Sequence, residues 1–98
     1  MKKISVGFLV FNENDNLKQT IQQAYTNLKK ISNNFEIWVF DNNSNDGSST
    51  TIENLSREIK ELKLFKQKIN VGYAQNLNSA IQKMEAEYIF VIDGDGQY

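Results

Sequence analysis

The chain contains no cysteine, no histidine and no proline among its 98 residues. Without thiols or imidazoles it can build no disulfide, no thiolate or imidazole metal centre, no Ser-His-Asp triad and no Cys-His nucleophile. Any metal it holds must be bound by oxygen, the preference of hard cations such as Mg²⁺ or Mn²⁺. The absence of proline carries no functional message. A charge of one sign is missing too: 11 basic and 12 acidic residues leave a net charge of −1. They form no basic stripe, so no nucleic-acid partner is expected. Hydrophobic runs are short. The amino-terminal one, residues 4–11, cannot span a bilayer and is interrupted by Ser5 and Gly7. Asn12, Glu13 and Asn14 follow it where a signal peptide would place small residues. The expected location is cytoplasmic, with contact to the inner face of the membrane only through sequence outside this chain.

What is present suits a globular fold. Hydrophobic residues make up 40% of the chain, which argues against disorder. The length allows at most one domain with a modest core.

Residues 4–11 are β-rich and nearly all apolar, as in a strand covered on both faces. A polar loop, 12–16, offers Asn14 or Asp15 as a helix cap. Leu17, Ile21, Ala24, Tyr25, Leu28 and Ile31 then recur at helical spacing, predicting an amphipathic helix over 15–30. A second apolar strand covers 35–40, followed by a loop of turn formers, 41–47. Thr50, with Glu53 three residues on, reads as a capping box for the next helix. Its stripe is Ile52, Leu55, Ile59 and Leu62. A short strand is expected at 62–66, then a turn at 70–72. The third helix should bury Ala74, Leu77, Ala80, Ile81 and Met84. A last, apolar strand runs over 88–92. Trp38 and Tyr25 are expected in the core.

The order β-α-β-α-β-α-β predicts a three-layer α/β/α fold with a mostly parallel sheet and right-handed crossovers. In such sheets ligands bind beyond the carboxyl ends of the strands, near a switch in strand order. Each strand here is followed by a polar cluster: Asn12 and Glu13, then residues 41–46, then 70–72, then Asp93 and Asp95. The four clusters should meet along one edge.

Asp93-Gly94-Asp95 is the most pointed of these motifs. Two carboxylates so close repel each other and favour a bound cation. Gly94 lets metal and phosphate approach the backbone. The plain alternative is an acidic turn after a strand. Asp41, at the end of the second strand, is placed to accept a hydrogen bond from a nucleobase or ribose, while Ser44 and Asp46 shape the loop or cap the helix. Phe11 is either a core residue or a face for a planar base. Glu13 is either a site residue or a solvated loop acid. Gly72 reads as a turn residue, and the helix it precedes could draw phosphate to its amino terminus.

Taken together, these segments resemble the amino-terminal half of a family 2 glycosyltransferase with the GT-A fold. Residues 4–13, ending Phe11-Asn12-Glu13, resemble the family's opening strand, which usually ends Tyr-Asn-Glu. Residues 40–48 resemble its Asp-Asp-Gly-Ser-x-Asp-Gly-Thr loop, residues 70–78 its Asn-x-Gly…Asn segment, and residues 87–97 its Gly-Asp-Tyr…Asp-Ala-Asp-Gln stretch. The resemblance implies a Rossmann-like donor-binding half and a nucleoside-diphosphate sugar as donor. By it, Phe11 would stack near the base, Glu13 would line the sugar-nucleotide site, and Asp41 would contact the nucleoside. Asp93 and Asp95 would serve a metal–diphosphate group with Mg²⁺ or Mn²⁺. Transfer would invert the anomeric centre, using a carboxylate base on a sugar or lipid-linked acceptor. That base is expected beyond Tyr98, so no catalytic residue is assigned within residues 1–98, read as a single partial domain without useful activity alone. Asn42 and Asn43 depart from the family's Asp and Gly, and Leu9-Val10 from its usual Pro-Ala.

Two other functions fit some of these residues. A phosphatase of the haloacid dehalogenase type also carries Asp-x-Asp after an apolar strand, but there the motif opens the fold. A non-catalytic nucleotide-binding module would use the same sheet edge. An exposed sheet edge would also favour homo-oligomers.

Overall fold

The structure, a computed structural model, describes residues 3–11 and 14–93. The elements follow the expected alternation: β1 (Ile4–Val10), α1 (Asn14–Ile31), β2 (Phe35–Asp41), α2 (Ser48–Glu58), β3 (Leu62–Lys66), α3 (Tyr73–Lys83) and β4 (Tyr88–Asp93). The four strands form one parallel sheet in the order β3-β2-β1-β4. The chain thus steps outward from β1 to β3, then returns to the other side of β1. Among the described residues, no helix is long and apolar enough to cross a membrane.

Strand alternation sorts the core onto two faces. Val6, Phe8 and Val10 of β1 and Ile37 and Val39 of β2 pack with Leu17, Ile21 and Leu28 of α1 and Ile52 and Leu55 of α2. On the opposite face Leu9 and Phe40 pack with Ala80 of α3 and with Met84, with Trp38, Phe65 and Val91 at the margin. Helices on opposite faces for opposite directions of travel are what a single crossover hand requires. Gly7 matters on the second face. A Cβ there would lie 2.9 Å from Met84 Sδ and 3.1 Å from Phe40 Cε2, so its bare backbone is what lets Met84 rest on the strand.

The local starts and stops differ from expectation in four places. First, α2 begins at Ser48, not near Thr50. Gly47 is its N-cap at φ 94°, and Asp46 Oδ1 accepts the Ser48 N–H at 3.0 Å. A carboxylate beside a residue free to adopt positive φ thus starts the helix ahead of the Thr50–Glu53 pair. Second, Ile31 ends α1 and is 72% exposed, because Ser32 closes the helix and turns the chain away. Third, α3 buries Asn76, Ala80 and the following Met84, while Ala74 and Ile81 are exposed. Its rotation is set by Asn76, which reaches under the helix to the Phe40 carbonyl. Fourth, β4 is an edge strand, and Tyr88, Ile89 and Phe90 are exposed. The capping role expected of Asn14 or Asp15 concerns side chains outside the described set. Tyr25 meets the Phe35 ring edge-on, and Trp38 stacks on Phe40; both are only partly buried.

Candidate functional site

The register fixes where the predicted site residues lie. Val10 of β1 pairs with Asp41 of β2, and Leu9 pairs with Asp93 of β4. Asp41 and Asp93 therefore end strands on either side of β1, at the same end of the sheet. Two strand spacings, about 10 Å, separate their backbones. Phe11 follows directly between them, and its side chain is 45% exposed. Because β2 lies to one side of β1 and β4 to the other, this is the switch in strand order. The turn after β3 joins the same edge, since Asp41 also pairs with Lys66 and its carbonyl accepts the Gln67 N–H at 2.8 Å.

Asp41 is 1% exposed. Its Oδ1 accepts the Ser44 N–H at 3.0 Å and the Ser44 hydroxyl, and its Oδ2 accepts the Ser49 hydroxyl. The carboxylate thus ties the 41–47 loop to the first turn of α2. Direct contact with a ligand requires the loop to open around this buried carboxylate, whose Oδ2 keeps capacity for a further bond. Asp46 caps α2, one of the two roles expected for it.

Glu13 and Asp95 lie outside the described residues, and of Asp93 the strand position is described. Among the described residues, no three acids cluster as a metal site would need. In donor type the chain suits a hard cation, since it offers carboxylates and neither thiolate nor imidazole.

An amide network at this edge was not foreseen. Asn42 is 5% exposed; its Oδ1 accepts the Val71 N–H at 2.8 Å and its Nδ2 donates to Asn70 Oδ1 at 3.3 Å. The Gly72 N–H donates to the same Asn70 oxygen at 2.9 Å. Asn76 Nδ2 donates to the Phe40 carbonyl, and Gln67 Nε2 donates to Ser79 Oγ at 3.0 Å. The signal available in sequence was the density of Asn around residues 42–45 and 70–78. Gly72 takes φ 83° with open space around it, so its conformation and not its size is what the turn needs.

One further buried acid stands apart. Glu36 is at the amino end of β2, away from this edge, and bonds Ser5 Oγ at 3.0 Å and Lys63 Nζ at 2.8 Å. Burial alone would push its carboxyl up. The Lys63 hydrogen bond, the nearby Trp38 indole and the Ser5 hydroxyl outweigh that and hold it at about 2. Trp38 Nε1 is buried and has no partner within ordinary hydrogen-bond geometry among the described residues.

The family model for Glycosyl transferase family 2 matches residues 5–98. The chain belongs to this family. Family 2 relatives include the poly(ribitol-phosphate) beta-N-acetylglucosaminyltransferase TarP of Staphylococcus aureus, 36% identical over 97% of this chain and 29% of its own length. The cholesterol galactosyltransferase of Borreliella burgdorferi is 30% identical over 95% of this chain and 25% of its own. Among solved structures, the mannosyltransferase PcManGT of Pyrobaculum calidifontis, in complex with GDP-Man and Mn²⁺, superposes with a TM-score of 0.82 at 20% identity. It shares the fold over 96% of this chain and 28% of its own. Staphylococcus aureus TarS 1–349 gives 0.73 at 26% identity, over 95% and 27%. The chain thus spans less than a third of the length of these family 2 proteins.

Proposed function

We propose that this chain is the nucleotide-sugar-binding portion of a metal-dependent, inverting glycosyltransferase. The observation that carries the reading is the register that sets Asp41 and Asp93 at one end of the sheet, on either side of β1, with half-exposed Phe11 between them. In this reading Phe11 offers its ring to the base. Asp41 governs the nucleoside side, through the loop it holds or by direct contact. Glu13 lines the sugar-nucleotide pocket. Asp93 and Asp95 hold Mg²⁺ or Mn²⁺ against the diphosphate. A cation bound there supplies charge stabilisation for the departing nucleoside diphosphate. The GDP-Man and Mn²⁺ of PcManGT are in keeping with such a pair of ligands in this fold.

The acceptor is not specified by this portion. TarP and the cholesterol galactosyltransferase both match it, yet their names carry different sugars and different acceptors. No residue here is assigned as the acceptor base, and the chain on its own is expected to bind donor weakly and transfer nothing. The phosphatase alternative is set aside by the family match.

Calorimetric titration with UDP and with GDP, each with and without Mn²⁺, tests the reading. Mn²⁺-dependent binding of one nucleotide, lost in Asp95→Ala, supports it. Binding of neither, or binding indifferent to Mn²⁺ and to Asp95, opposes it.

A further inference from the structure

We propose that Asn42 is a positioning residue for the donor nucleotide, acting by clamping the 70–72 turn against the end of β2. The inference rests on the donor-site reading above and adds a residue to it.

The backbone of Asn42 is itself fixed, because its N–H donates to the Val10 carbonyl at 2.8 Å and so extends the β1–β2 pairing by one residue. Immediately after it Asn43 takes φ 62°, a left-handed bend that asparagine tolerates. The Asn42 side chain leaves this anchored point and crosses to the turn after β3.

The direction of the hydrogen bonds is set by chemistry. The Val71 main-chain nitrogen can only donate, so the atom facing it is the Asn42 oxygen. The Asn42 NH₂ then faces Asn70, which must present its oxygen; that oxygen also accepts from the Gly72 N–H. Two main-chain N–H groups at the entrance to α3 are thereby satisfied by one chain of amides. Only a residue that both accepts and donates can occupy position 42 in it.

A carboxylate does half of this. It could still accept from Val71, but its second oxygen would oppose the Asn70 oxygen. If Asn70 turned its NH₂ toward the carboxylate instead, the Gly72 N–H would lose its acceptor. This chain carries an amide where the family's loop usually carries its second carboxylate, and the amide is consumed in holding the turn. The wall of the pocket on the β3 side is then preformed, and a nucleoside diphosphate entering beside Asp41 need not order it.

The test uses Asn42→Asp, which keeps the side-chain size, beside Asn42→Ala. Amide exchange at Val71 and Gly72 is followed by NMR without ligand, and UDP and GDP are titrated with Mn²⁺. At neutral pH Asn42→Ala should exchange roughly tenfold faster at Val71, which loses its acceptor, and Asn42→Asp at Gly72, whose acceptor Asn70 turns toward the carboxylate; both should bind the preferred nucleotide several-fold more weakly, the equivalent of one lost hydrogen bond. At a pH low enough to protonate the new carboxyl, which can then donate to Asn70, Asn42→Asp should recover slow exchange relative to the unaltered chain at that pH. Asn42→Ala should not. Faster exchange with unchanged affinity would make the clamp a fold element only and overturn the positioning role while sparing the donor site. Weaker binding with unchanged exchange would mean that Asn42 acts directly on the ligand, and would also overturn it. Failure of the unaltered chain to bind either nucleotide would remove the donor site itself, and the proposed role with it.

Discussion

The Nδ2 of Asn76 donates to the main-chain carbonyl of Phe40 at 2.9 Å, beneath the first turns of α3. Phe40 is fully buried and Asn76 nearly so. The bond therefore satisfies a polar group that water does not reach, and it sets which side of α3 meets the sheet. Asn76→Ala should destabilise the fold by about 0.5–1.5 kcal/mol, the usual worth of one hydrogen bond, since the Phe40 carbonyl keeps its place in the β1–β2 ladder. Urea midpoints at equal m-value would measure it. Ser79, which accepts from Gln67 at 3.0 Å, should be less sensitive to replacement by Ala, because both partners of that bond are only partly buried.

Gly7 and Met84 are coupled through contact. A methyl group on Gly7 would overlap Met84 Sδ and Cε at 2.9 Å and crowd Phe40 Cε2 at 3.1 Å. Met84 is flexible and can yield in part; the packed Phe40 ring cannot. Gly7→Ala should cost about 1–3 kcal/mol, as overpacking does. In a double-mutant cycle with Met84→Ala the two changes should be non-additive, with a coupling of about 1 kcal/mol in the relieving direction. Additivity would mean that the two residues do not touch.

Glu36 makes stability depend on pH in one direction. Its carboxyl ordinarily titrates at 4.5 and is held at about 2 in the fold. The folded value is the lower one, so the contribution is complete above about pH 4.5 and fades as pH falls toward about 2. Its partners Lys3 and Lys63 are 38% and 49% exposed, and allowing for solvent screening the contribution is about 2 kcal/mol. Glu36→Gln should be less stable than the unaltered chain at pH 7 by about that amount and should flatten the acid limb of the stability profile. Urea unfolding at a series of pH values would show the two curves converging as pH drops.

The start of α2 offers a test of local chemistry. Asp46 accepts the Ser48 N–H at 3.0 Å, whereas Thr50 and Glu53 sit inside the helix. Asp46→Ala should cost about 1 kcal/mol, the usual worth of a helix-starting carboxylate. Thr50→Ala and Glu53→Ala should each stay within about 0.5 kcal/mol of the unaltered chain. Thermal midpoints of the three variants would separate the alternatives.

These cases show what residue patterns reveal and what they hide. Apolar runs and turn clusters placed the strands, because burying an apolar strand and bending at Asn and Gly are local demands. The ties from Asn42 to Asn70 and from Asn76 to Phe40 could not be read, because they join residues 28 and 36 positions apart. Asp41 was legible as an acid at a strand end, but not as the acceptor of two serine hydroxyls three and eight residues on, because a run of turn formers leaves open which side chains meet. Strand order bears on exposure as well: β4 lies at an edge of the described sheet, and Tyr88 and Phe90 are exposed there. Ala74 and Ile81 were assigned to the buried face of α3 by helical spacing alone. Ala80 and Met84 are buried with Leu77 beside them, as that spacing implied, while the Asn76 bond leaves Ala74 and Ile81 outside.

The central claim is that one end of the sheet gathers a cation-dependent site for a sugar nucleotide. Mn²⁺ is paramagnetic and broadens nearby NMR signals, so it can report its own position even when binding is weak. Added with UDP or GDP, it should broaden the amides of Val10, Phe11, Asp41 and Asp93 first, and leave Glu36 and Lys63 at the far end sharp. Asp93→Ala or Asp95→Ala should abolish the effect. Broadening centred on Glu36, or none around Asp93 at saturating nucleotide and metal, would contradict the account.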